Sequence, residues 1–203
     1  MRPLAAVALA GLAAGCGGVG ARAADEPAGP SILSVRVTTP AQRSGASATA
    51  FALGRDRLAT VAHVLDGGRQ VSAGSHRGRV LRVDRRLDVA VLAVRGVGGA
   101  PARAGTARAG EAVTVRVIRS GEAQSLPARV RRTITARVRG IAGPVRVRPA
   151  LELAVAVMPG DSGAPVLDGR HRVVGMIFAQ ASDRDAVAYA LDARALLPPA
   201  PAR

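Results

Sequence analysis

Valine alternates with polar residues along much of the chain. The alternation is clearest over residues 34–37, 113–117 and 129–131, and glycine and proline recur between such segments. Successive side chains of a strand point to opposite faces, so apolar residues at period two predict short, half-buried antiparallel strands. The sequence therefore predicts an all-β barrel or sandwich, with a short helix over residues 191–197, before Pro198-Pro199.

Composition is compatible with this fold. The chain has 203 residues, of which 48% are hydrophobic, but only two are Phe, one is Tyr and none is Trp. A core made from such a chain must consist mainly of Val, Leu, Ile and Ala. The length suits one domain of ordinary size, or two small barrels that share an interface, with a tail.

The N-terminus has the features of an export signal. Arg2 precedes an uncharged apolar run from Leu4 to Gly15, which is too short to span a membrane and typical of a signal peptide over residues 1–15. The only cysteine, Cys16, directly follows this run in a context that resembles a bacterial lipobox, in which the cysteine carries the lipid. The alternative is an ordinary signal peptide cleaved after Ala23. On either interpretation the mature protein has no disulfide and is located in the cell envelope or outside the cell.

Low-complexity segments divide the rest of the chain. Residues 16–31 are rich in Gly, Ala and Pro and predict a disordered tether, and residues 198–203 predict a disordered tail. Residues 96–110 show no regular alternation of hydrophobic and polar residues, which indicates a boundary between two units. We therefore expect an N-terminal barrel over residues 32–104 and a C-terminal barrel over residues 105–197.

The charge is strongly positive but needs a careful interpretation. The formal net charge is +15, and every basic residue is arginine because lysine is absent, which is typical of a GC-rich genome. Between Glu122 and Glu152 there is no acidic residue, and the alternation there predicts that several of its arginines share one solvent-exposed strand face. The arginines of this stretch are Arg129, Arg131, Arg132, Arg137, Arg139, Arg146 and Arg148. The alternative is a surface that attracts an anionic membrane or wall polymer. No aromatic residues are interleaved for base stacking, so we expect no nucleic-acid partner. No Cys, His and carboxylate grouping has metal-ligand spacing, so we expect no metal and no cofactor.

Three separate segments carry residues suited to nucleophilic catalysis. Ser162 lies between glycines in Gly160-Asp161-Ser162-Gly163, His63 ends the run Thr-Val-Ala-His, and Asp88 opens the apolar run of residues 89–94. A serine hydroxyl needs a base to take its proton, and a carboxylate fixes the imidazole that acts as the base. Asp84 is the competing carboxylate, but it lies in a charged stretch that favours a solvated turn. Glycine lets the backbone turn sharply beneath a substrate carbonyl, where the N–H groups of Gly160 and Ser162 would form an oxyanion hole.

The order His, Asp, Ser resembles that of the trypsin-like serine peptidases, most closely the compact bacterial HtrA/Deg type. The resemblance covers roughly residues 46–197, including the apolar strand segments 50–53 and 173–178. It implies a chymotrypsin-like fold of two perpendicular six-stranded β-barrels, with the triad in the cleft between them and a short C-terminal helix. There are two departures from the family pattern. Asp161 stands where HtrA-type enzymes usually have Asn, and no sequence remains after Leu197 for the PDZ domain that they commonly carry.

The resemblance also carries expectations about the residues near the nucleophile. The residue six before it would form the base of the S1 pocket, which here is Ala156, with walls from Met158 and from Phe178, Ala179 and Gln180. None of these is charged, so we expect a preference for small to medium apolar P1 residues. In trypsin-type enzymes the carboxylate beside the serine pairs with a newly cut N-terminus. Nothing here resembles that activation sequence, so we expect an internal arginine, from Arg129 to Arg148, to neutralise Asp161.

The sequence thus predicts an exported serine endopeptidase that acts on proteins or peptides through an acyl-enzyme intermediate. One alternative is an esterase with the same triad, although the chain order differs from that of the α/β-hydrolases. The other is a non-catalytic envelope module that keeps the protease fold and binds proteins or polymers.

Overall fold

The strands of the molecule follow the predicted alternation. The computed structural model describes residues 29–39, 42–68, 70–139 and 144–197. The strands in these ranges are β1 (Ile32–Thr39), β2 (Gln42–Gly54), β3 (Arg57–Val61), β4 (Gln70–Ala73), β5 (His76–Asp84), β6 (Val89–Val94), β7 (Ala112–Arg119), β8 (Glu122–Arg139), β9 (Val145–Ala154), β10 (Pro165–Leu167), β11 (Val173–Gln180) and β12 (Val187–Asp192). A 3-10 turn follows β3 at His63–Leu65, and the helix α1 (Ala193–Leu196) follows β12.

The strands close into two antiparallel barrels of six strands each. The order around barrel one is β1-β2-β3-β6-β5-β4, and around barrel two it is β10-β11-β12-β9-β8-β7. The all-β prediction with two six-stranded barrels is therefore confirmed. Barrel one contributes β3 and β6, which pair with each other. His63 follows β3, and Asp88 directly precedes β6. Barrel two contributes the loop before β10, which carries Ser162.

Period-two packing fills both barrels with aliphatic side chains. In β6, Ala90, Leu92 and Val94 are buried and alternate with partly buried residues, and in β7 the valines at 113, 115 and 117 are buried in the same way. Phe51 is a fully buried ring in the core of barrel one. Because alternate positions face the interior, the sequence needs few large residues to fill these barrels.

The chain crosses between the barrels over a short distance. The N–H of Ala102 donates to the carbonyl of Ala52 in barrel one, whereas the N–H of Val173 in barrel two donates to the carbonyl of Arg103. Gly105 then donates to Val173. The change of barrel therefore occurs between residues 102 and 103, close to the boundary expected after residue 104.

The end of the fold differs in detail from the prediction of a helix over residues 191–197. Leu191 is buried and pairs with Met176 and Ala150, so it continues β12. Asp192 then caps a helix of only four residues, because its side chain accepts the N–H of Arg194. No helix among the described residues is long and apolar enough to cross a bilayer.

Part of the basic stretch is solvated as predicted, because Arg129, Arg131, Arg132 and Arg137 on β8 are exposed, whereas Arg148 on β9 is not. Arg131 and Arg132 contact Glu152, which is 2% exposed, at 3.3 and 2.8 Å. Arg184, from the β11–β12 loop, contacts the same carboxylate at 3.3 Å. Arg148 is 4% exposed and points into the interior. A buried carboxylate such as that of Glu152 needs positively charged partners, and β8 provides two of them.

Several predicted segments lie outside the described residues. These are the signal peptide of residues 1–15, Cys16, most of the predicted tether and the tail of residues 198–203. The last part of the predicted tether packs on the fold, because Pro30 is buried and the N–H of Ser31 donates to the carbonyl of Ala100.

Candidate active site

His63 and Asp88 meet at the end of the β3–β6 pair. The His63 Nδ1 atom lies 2.8 Å from Asp88 Oδ2, and the backbone N–H of His63 donates to Asp88 Oδ1 over 2.9 Å. The N–H of Ala62 also donates to the carbonyl of Asp88. Both carboxylate oxygens and the backbone of Asp88 are thus engaged by the His63 segment. The side chain of Asp88 is 12% exposed and that of His63 48% exposed, so the imidazole borders solvent while the carboxylate does not.

The competing carboxylate, Asp84, has a different location. Its Oδ1 accepts the N–H groups of Arg86 and Leu87, each over 2.9 Å. It therefore closes the turn between β5 and β6, and this turn delivers Asp88 to the imidazole. Asp88 itself has φ +64°, a left-handed conformation that costs aspartate less than most residues.

The surroundings of His63 change its basicity in both directions. The hydrogen bond that His63 donates to Asp88 raises the pKa of His63 above its usual 6.5, and the charges of Asp88 and Asp66 act in the same sense. Burial lowers it, and so does the positive charge of Arg148. The net effect is a raised pKa, and the bond to Asp88 is its largest cause.

Arg148 reaches this pair from barrel two. Its Nη1 donates to the carbonyl of Leu87 over 3.1 Å and lies 3.3 Å from Asp88 Oδ2. Its guanidinium carbon lies 4.9 Å from the centre of the Phe178 ring. Its Nε has no hydrogen-bond partner among the described residues. The Asp88 carboxylate is therefore placed between a histidine of one barrel and an arginine of the other.

The loop that carries Ser162 packs on barrel one through two threonines. The N–H of Thr49 in β2 donates to the carbonyl of Ser162 over 2.8 Å, and its hydroxyl donates to the carbonyl of Gly160 over 3.0 Å. The Thr60 hydroxyl donates to the carbonyl of Thr49 over 2.8 Å. Thr60 lies in β3, three residues before His63, so the serine loop rests on the strand that leads to the histidine.

The backbone of the same loop leaves two donors available. The N–H groups of Asp161, Gly163 and Ala164 are bonded to carbonyls of Met158, Ile177 and Asp161, respectively. No backbone or side-chain acceptor in the described ranges takes the N–H of Gly160 or of Ser162. Gly160 has φ +102°, which glycine adopts without strain. Two unpaired N–H groups beside a hydroxyl can bind an anionic oxygen.

Asp161 is neutralised from within the fold, by an arginine outside the predicted range. Arg119, at the end of β7, donates to both carboxylate oxygens of Asp161, from Nε over 3.2 Å and from Nη2 over 2.6 Å. The N–H of Met158 adds a third bond, over 2.9 Å. Asp161 is 1% exposed, so a cation was required, but the prediction of a residue from Arg129 to Arg148 is wrong. Arg129, Arg132 and Arg148 instead donate to Gly110, Glu152 and Leu87, respectively.

A cleft of about 300 Å³ lies beside Ser162. The described residues that line it are uncharged and comprise Val157, Met158, Pro159, Ser162, Ile177, Ala179 and Gln180. Of the five residues predicted to line an S1 pocket, Met158, Ala179 and Gln180 border this cleft. Ala156 is exposed and does not line it. Phe178 does not line it either, and its ring packs on Arg148 instead.

Sequence reasoning missed four residues of this region: Thr49, Thr60, Arg119 and Arg148. The threonines gave a weak signal, since each is a hydroxyl in an otherwise apolar strand segment. The arginines gave none that separates them from the many exposed arginines of the chain. Their partners become close only when the barrels close and pack together.

Comparisons with known proteins concern the family and the fold. A family model described as a trypsin-like peptidase domain matches residues 48–176. The serine protease Rv3671c of Mycobacterium tuberculosis strain H37Rv is 31% identical over 178 residues, which cover 81% of this chain and 44% of that protein. The chain thus spans less than half the length of this relative.

Solved structures resemble the fold over the same region. The crystal structure of the active form of the M. tuberculosis Rv3671c protease has a TM-score of 0.75 and 30% sequence identity, and the match covers 81% of this chain and 77% of that one. The HtrA-type protease AlgW with a tripeptide has a TM-score of 0.69, with coverages of 83% and 58%. Its identity is 18%, so that likeness concerns the fold alone.

Proposed function

The chain belongs to the trypsin-like peptidase family, and from that premise we propose that it is an exported serine endopeptidase whose nucleophile is Ser162. The observation that carries the proposal is the bond of 2.8 Å between His63 and Asp88, next to a serine loop that is bonded to the same barrel through Thr49. This arrangement supports hydrolysis of peptide bonds in two steps, with an acyl-enzyme intermediate.

Each residue has a defined task in this reaction. His63 takes the proton of the Ser162 hydroxyl as the oxygen attacks the scissile carbonyl, and later gives it to the leaving amine. Asp88 accepts a hydrogen bond from the Nδ1–H of His63, which keeps Nε2 available as the base and stabilises the imidazolium. Water then attacks the acyl-enzyme, and His63 again takes and returns the proton.

The tetrahedral oxyanion binds to the N–H groups of Gly160 and Ser162. Support comes from the absence of other acceptors for these groups within the described ranges and from the bond of 3.0 Å that ties the carbonyl of Gly160 to Thr49. A donor that is already oriented needs no rearrangement when charge develops on the substrate. Such donors contribute roughly 3 to 4 kcal/mol each to transition-state stabilisation.

The cleft beside Ser162 favours an apolar P1 side chain. Its lining residues are uncharged, and most are aliphatic. A P1 arginine, lysine or acid would lose its hydration there without a charged partner, which opposes its binding. Small to medium apolar residues such as Ala, Val, Leu or Met are therefore the preferred P1 residues. Dominant cleavage of an unbiased peptide library after a charged residue would contradict this assignment.

Lipid on Cys16 anchors the protease at the outer side of a membrane in this proposal. The sequence supports it through the short apolar run that ends at Gly15 and the single cysteine after it. The Cys16→Ser variant should then move from the membrane fraction to the soluble fraction. A mature protein that begins at Ala24 would instead show ordinary signal cleavage.

Labelling with a fluorophosphonate probe tests the catalytic proposal. The full-length protein should be labelled, and Ser162→Ala should not be. His63→Ala and Asp88→Asn should each lower peptide hydrolysis by roughly 10⁴-fold, with cooperative unfolding preserved. Asp84→Asn is the matched control, because asparagine keeps the oxygen that accepts the N–H groups of Arg86 and Leu87.

The outcome separates the peptidase from the alternatives. If Asp84→Asn were as damaging as expected for Asp88→Asn, and Asp88→Asn were mild, the carboxylate assignment would be wrong. Labelling without peptide hydrolysis, together with ester hydrolysis, would indicate an esterase. A folded wild-type protein that is neither labelled nor active would indicate a non-catalytic binding module.

A further inference from the structure

Arg148 is in an unfavourable environment for a structural arginine. Its side chain is 4% exposed, and its Nε has no hydrogen-bond partner in the described part of the chain. Among the described residues, its charge is met by one carboxylate at 3.3 Å, one carbonyl at 3.1 Å and the face of one ring. Replacing a whole buried ion pair by apolar residues of similar volume is often neutral or stabilising. The pairing of Arg148 with Asp88 is therefore weak evidence that the arginine is present for the stability of the fold.

The position of the guanidinium suggests a different reason. It contacts the backbone carbonyl of Leu87 and the side-chain carboxylate of Asp88, so it touches two consecutive residues of the turn before β6. Asp88 has a left-handed φ of +64°, so this peptide is in a conformation that its surroundings must maintain. The Phe178 ring, in turn, limits how far the guanidinium can move.

We propose that Arg148 is a positioning residue of the proposed protease site, which holds the Asp88 carboxylate against His63 and offsets part of its negative charge. The inference rests on the proposed function of His63 and Asp88, and it adds a residue of barrel two to their machinery. Asp88 Oδ1 is bonded to the His63 backbone, and Oδ2 is shared between the imidazole and the guanidinium. With both oxygens engaged, rotation of the carboxylate away from the imidazole is opposed.

The second part of the role is electrostatic. Three charged groups act on His63: Asp88, which precedes β6; Asp66, which follows the 3-10 turn and is paired with Arg85; and Arg148 on β9. The two carboxylates raise the pKa of His63, whereas Arg148 lowers it. Without Arg148 the imidazole would hold its proton to higher pH. The proposed base would then be protonated, and unable to accept the serine proton, over a wider pH range.

The test compares Arg148→Met with Arg146→Met. Methionine keeps an unbranched apolar side chain but removes the charge and the donors. Arg146 lies on the same strand two residues earlier, loses the same charge on substitution, and contacts neither Leu87 nor Asp88. The first measurement is the titration of the His63 ring by NMR, assigned with His63→Gln, because it needs no activity. The second is the pH profile of kcat/KM on a peptide substrate.

In Arg148→Met we expect the pKa of His63 to increase, because a positive charge that lowers it is removed, and the acid limb of kcat/KM to move to higher pH by the same amount. The loss of kcat/KM relative to the wild type should be severalfold larger on the acid limb than at alkaline pH. Arg146→Met should titrate like the wild type. Arg148→Lys keeps a positive charge but has only one donor group, so its His63 pKa should lie between those of the wild type and Arg148→Met. Arg148→Lys is used in place of Arg148→Met if the latter does not fold.

An unchanged His63 titration in Arg148→Met would overturn the proposal, even if activity fell, because a loss of packing alone lowers kcat without moving the limb. An equal shift of the His63 pKa in Arg146→Met would overturn it too, since the shift would then depend on the net charge of the protein and not on the contact of Arg148 with Asp88. If the wild type were inactive while the His63 titration still shifted as expected, the proposed function would fail and the coupling of Arg148 to the pair would stand.

Discussion

The two neighbours of Ser162 attach the nucleophile loop to the two barrels in different ways. On one side, Asp161 is bonded to Arg119 of barrel two through a buried carboxylate with two ionic hydrogen bonds. On the other side, Gly163 lies against barrel one so closely that a Cβ there would be 2.1 Å from the carbonyl oxygen of Thr49 and 2.6 Å from the Thr60 hydroxyl. One attachment depends on charge and the other on the absence of a side chain.

This difference shows how the same loop can be specified by two kinds of interaction. The ionic contact tolerates small displacements, because Arg119 is 22% exposed and its side chain can adjust. The hydrogen bond to Asp161 also raises the pKa of Arg119, so the arginine stays charged. The contact with barrel one cannot adjust, since it involves backbone atoms of a closed barrel. We therefore expect substitutions on the two sides to lower stability and activity for different reasons.

Arg119→Met should have the largest effect. It leaves the carboxylate of Asp161, which is 1% exposed, without a cation. Breaking a buried pair in this way costs about 3 to 5 kcal/mol of the free energy of unfolding. If the loop shifts to hydrate the carboxylate, the oxyanion donors move with it, and kcat/KM should fall by about 100-fold or more. Chemical denaturation and peptidase assays would measure both effects.

The two partners of this pair should differ in their effects. Asp161→Asn leaves an arginine that can turn toward water, so it should cost less than Arg119→Met. The double variant should recover part of the loss, because neither partner is then a buried unpaired charge. Arg116→Met, on the same strand and without an ionic partner in the described ranges, is the control for lost charge. Equal losses in the Arg119 and Arg116 variants would show that the pair has no special role.

Physical reasoning from the sequence could anticipate the need for this pair but not its members. A carboxylate beside a buried serine requires a cation, and that requirement could be inferred from Asp161 alone. The choice of Arg119 depends on β7 pairing with β10, a contact between residues distant in sequence. The same limit explains Arg148, whose local pattern of alternation resembles that of its exposed neighbours. Only the packing of β9 against the Asp88 turn distinguishes it.

Local patterns were more informative where chemistry and backbone agree within a few residues. The alternating valines determined which strands form, since burial on one face is a local property. The apolar run after Asp88 indicated a carboxylate at the start of a buried strand, which is where β6 begins. The cleft beside Ser162 was harder to predict, because the lining depends on which way each side chain of β11 points. Phe178 packs on Arg148, whereas the next two residues border the cleft.

Gly163→Ala should have the next largest effect, and it tests the side that faces barrel one. The added methyl would meet the backbone of Thr49, and Gly163 also has φ +87°, which disfavours alanine. Together these terms should lower the free energy of unfolding by about 2 to 4 kcal/mol. Gly121→Ala is the matched control, since its φ is +85° and no atom lies within 4 Å of the added methyl. The difference between the two variants in denaturation isolates the contact with barrel one. If both lose the same stability, backbone conformation alone requires glycine at residue 163.

Thr60→Val should have the smallest effect of the three, because it removes one neutral hydrogen bond and leaves the close packing in place. The hydroxyl donates to the carbonyl of Thr49 over 2.8 Å, and both residues are fully buried. A net loss of about 1 kcal/mol in the free energy of unfolding is expected, with kcat/KM reduced only severalfold, since Thr49 still donates to the carbonyl of Ser162. Thr60→Ser keeps the hydroxyl and should behave almost like the wild type. A loss in Thr60→Val as large as that in Arg119→Met would mean that barrel one, and not the ionic contact with barrel two, determines the position of the nucleophile loop.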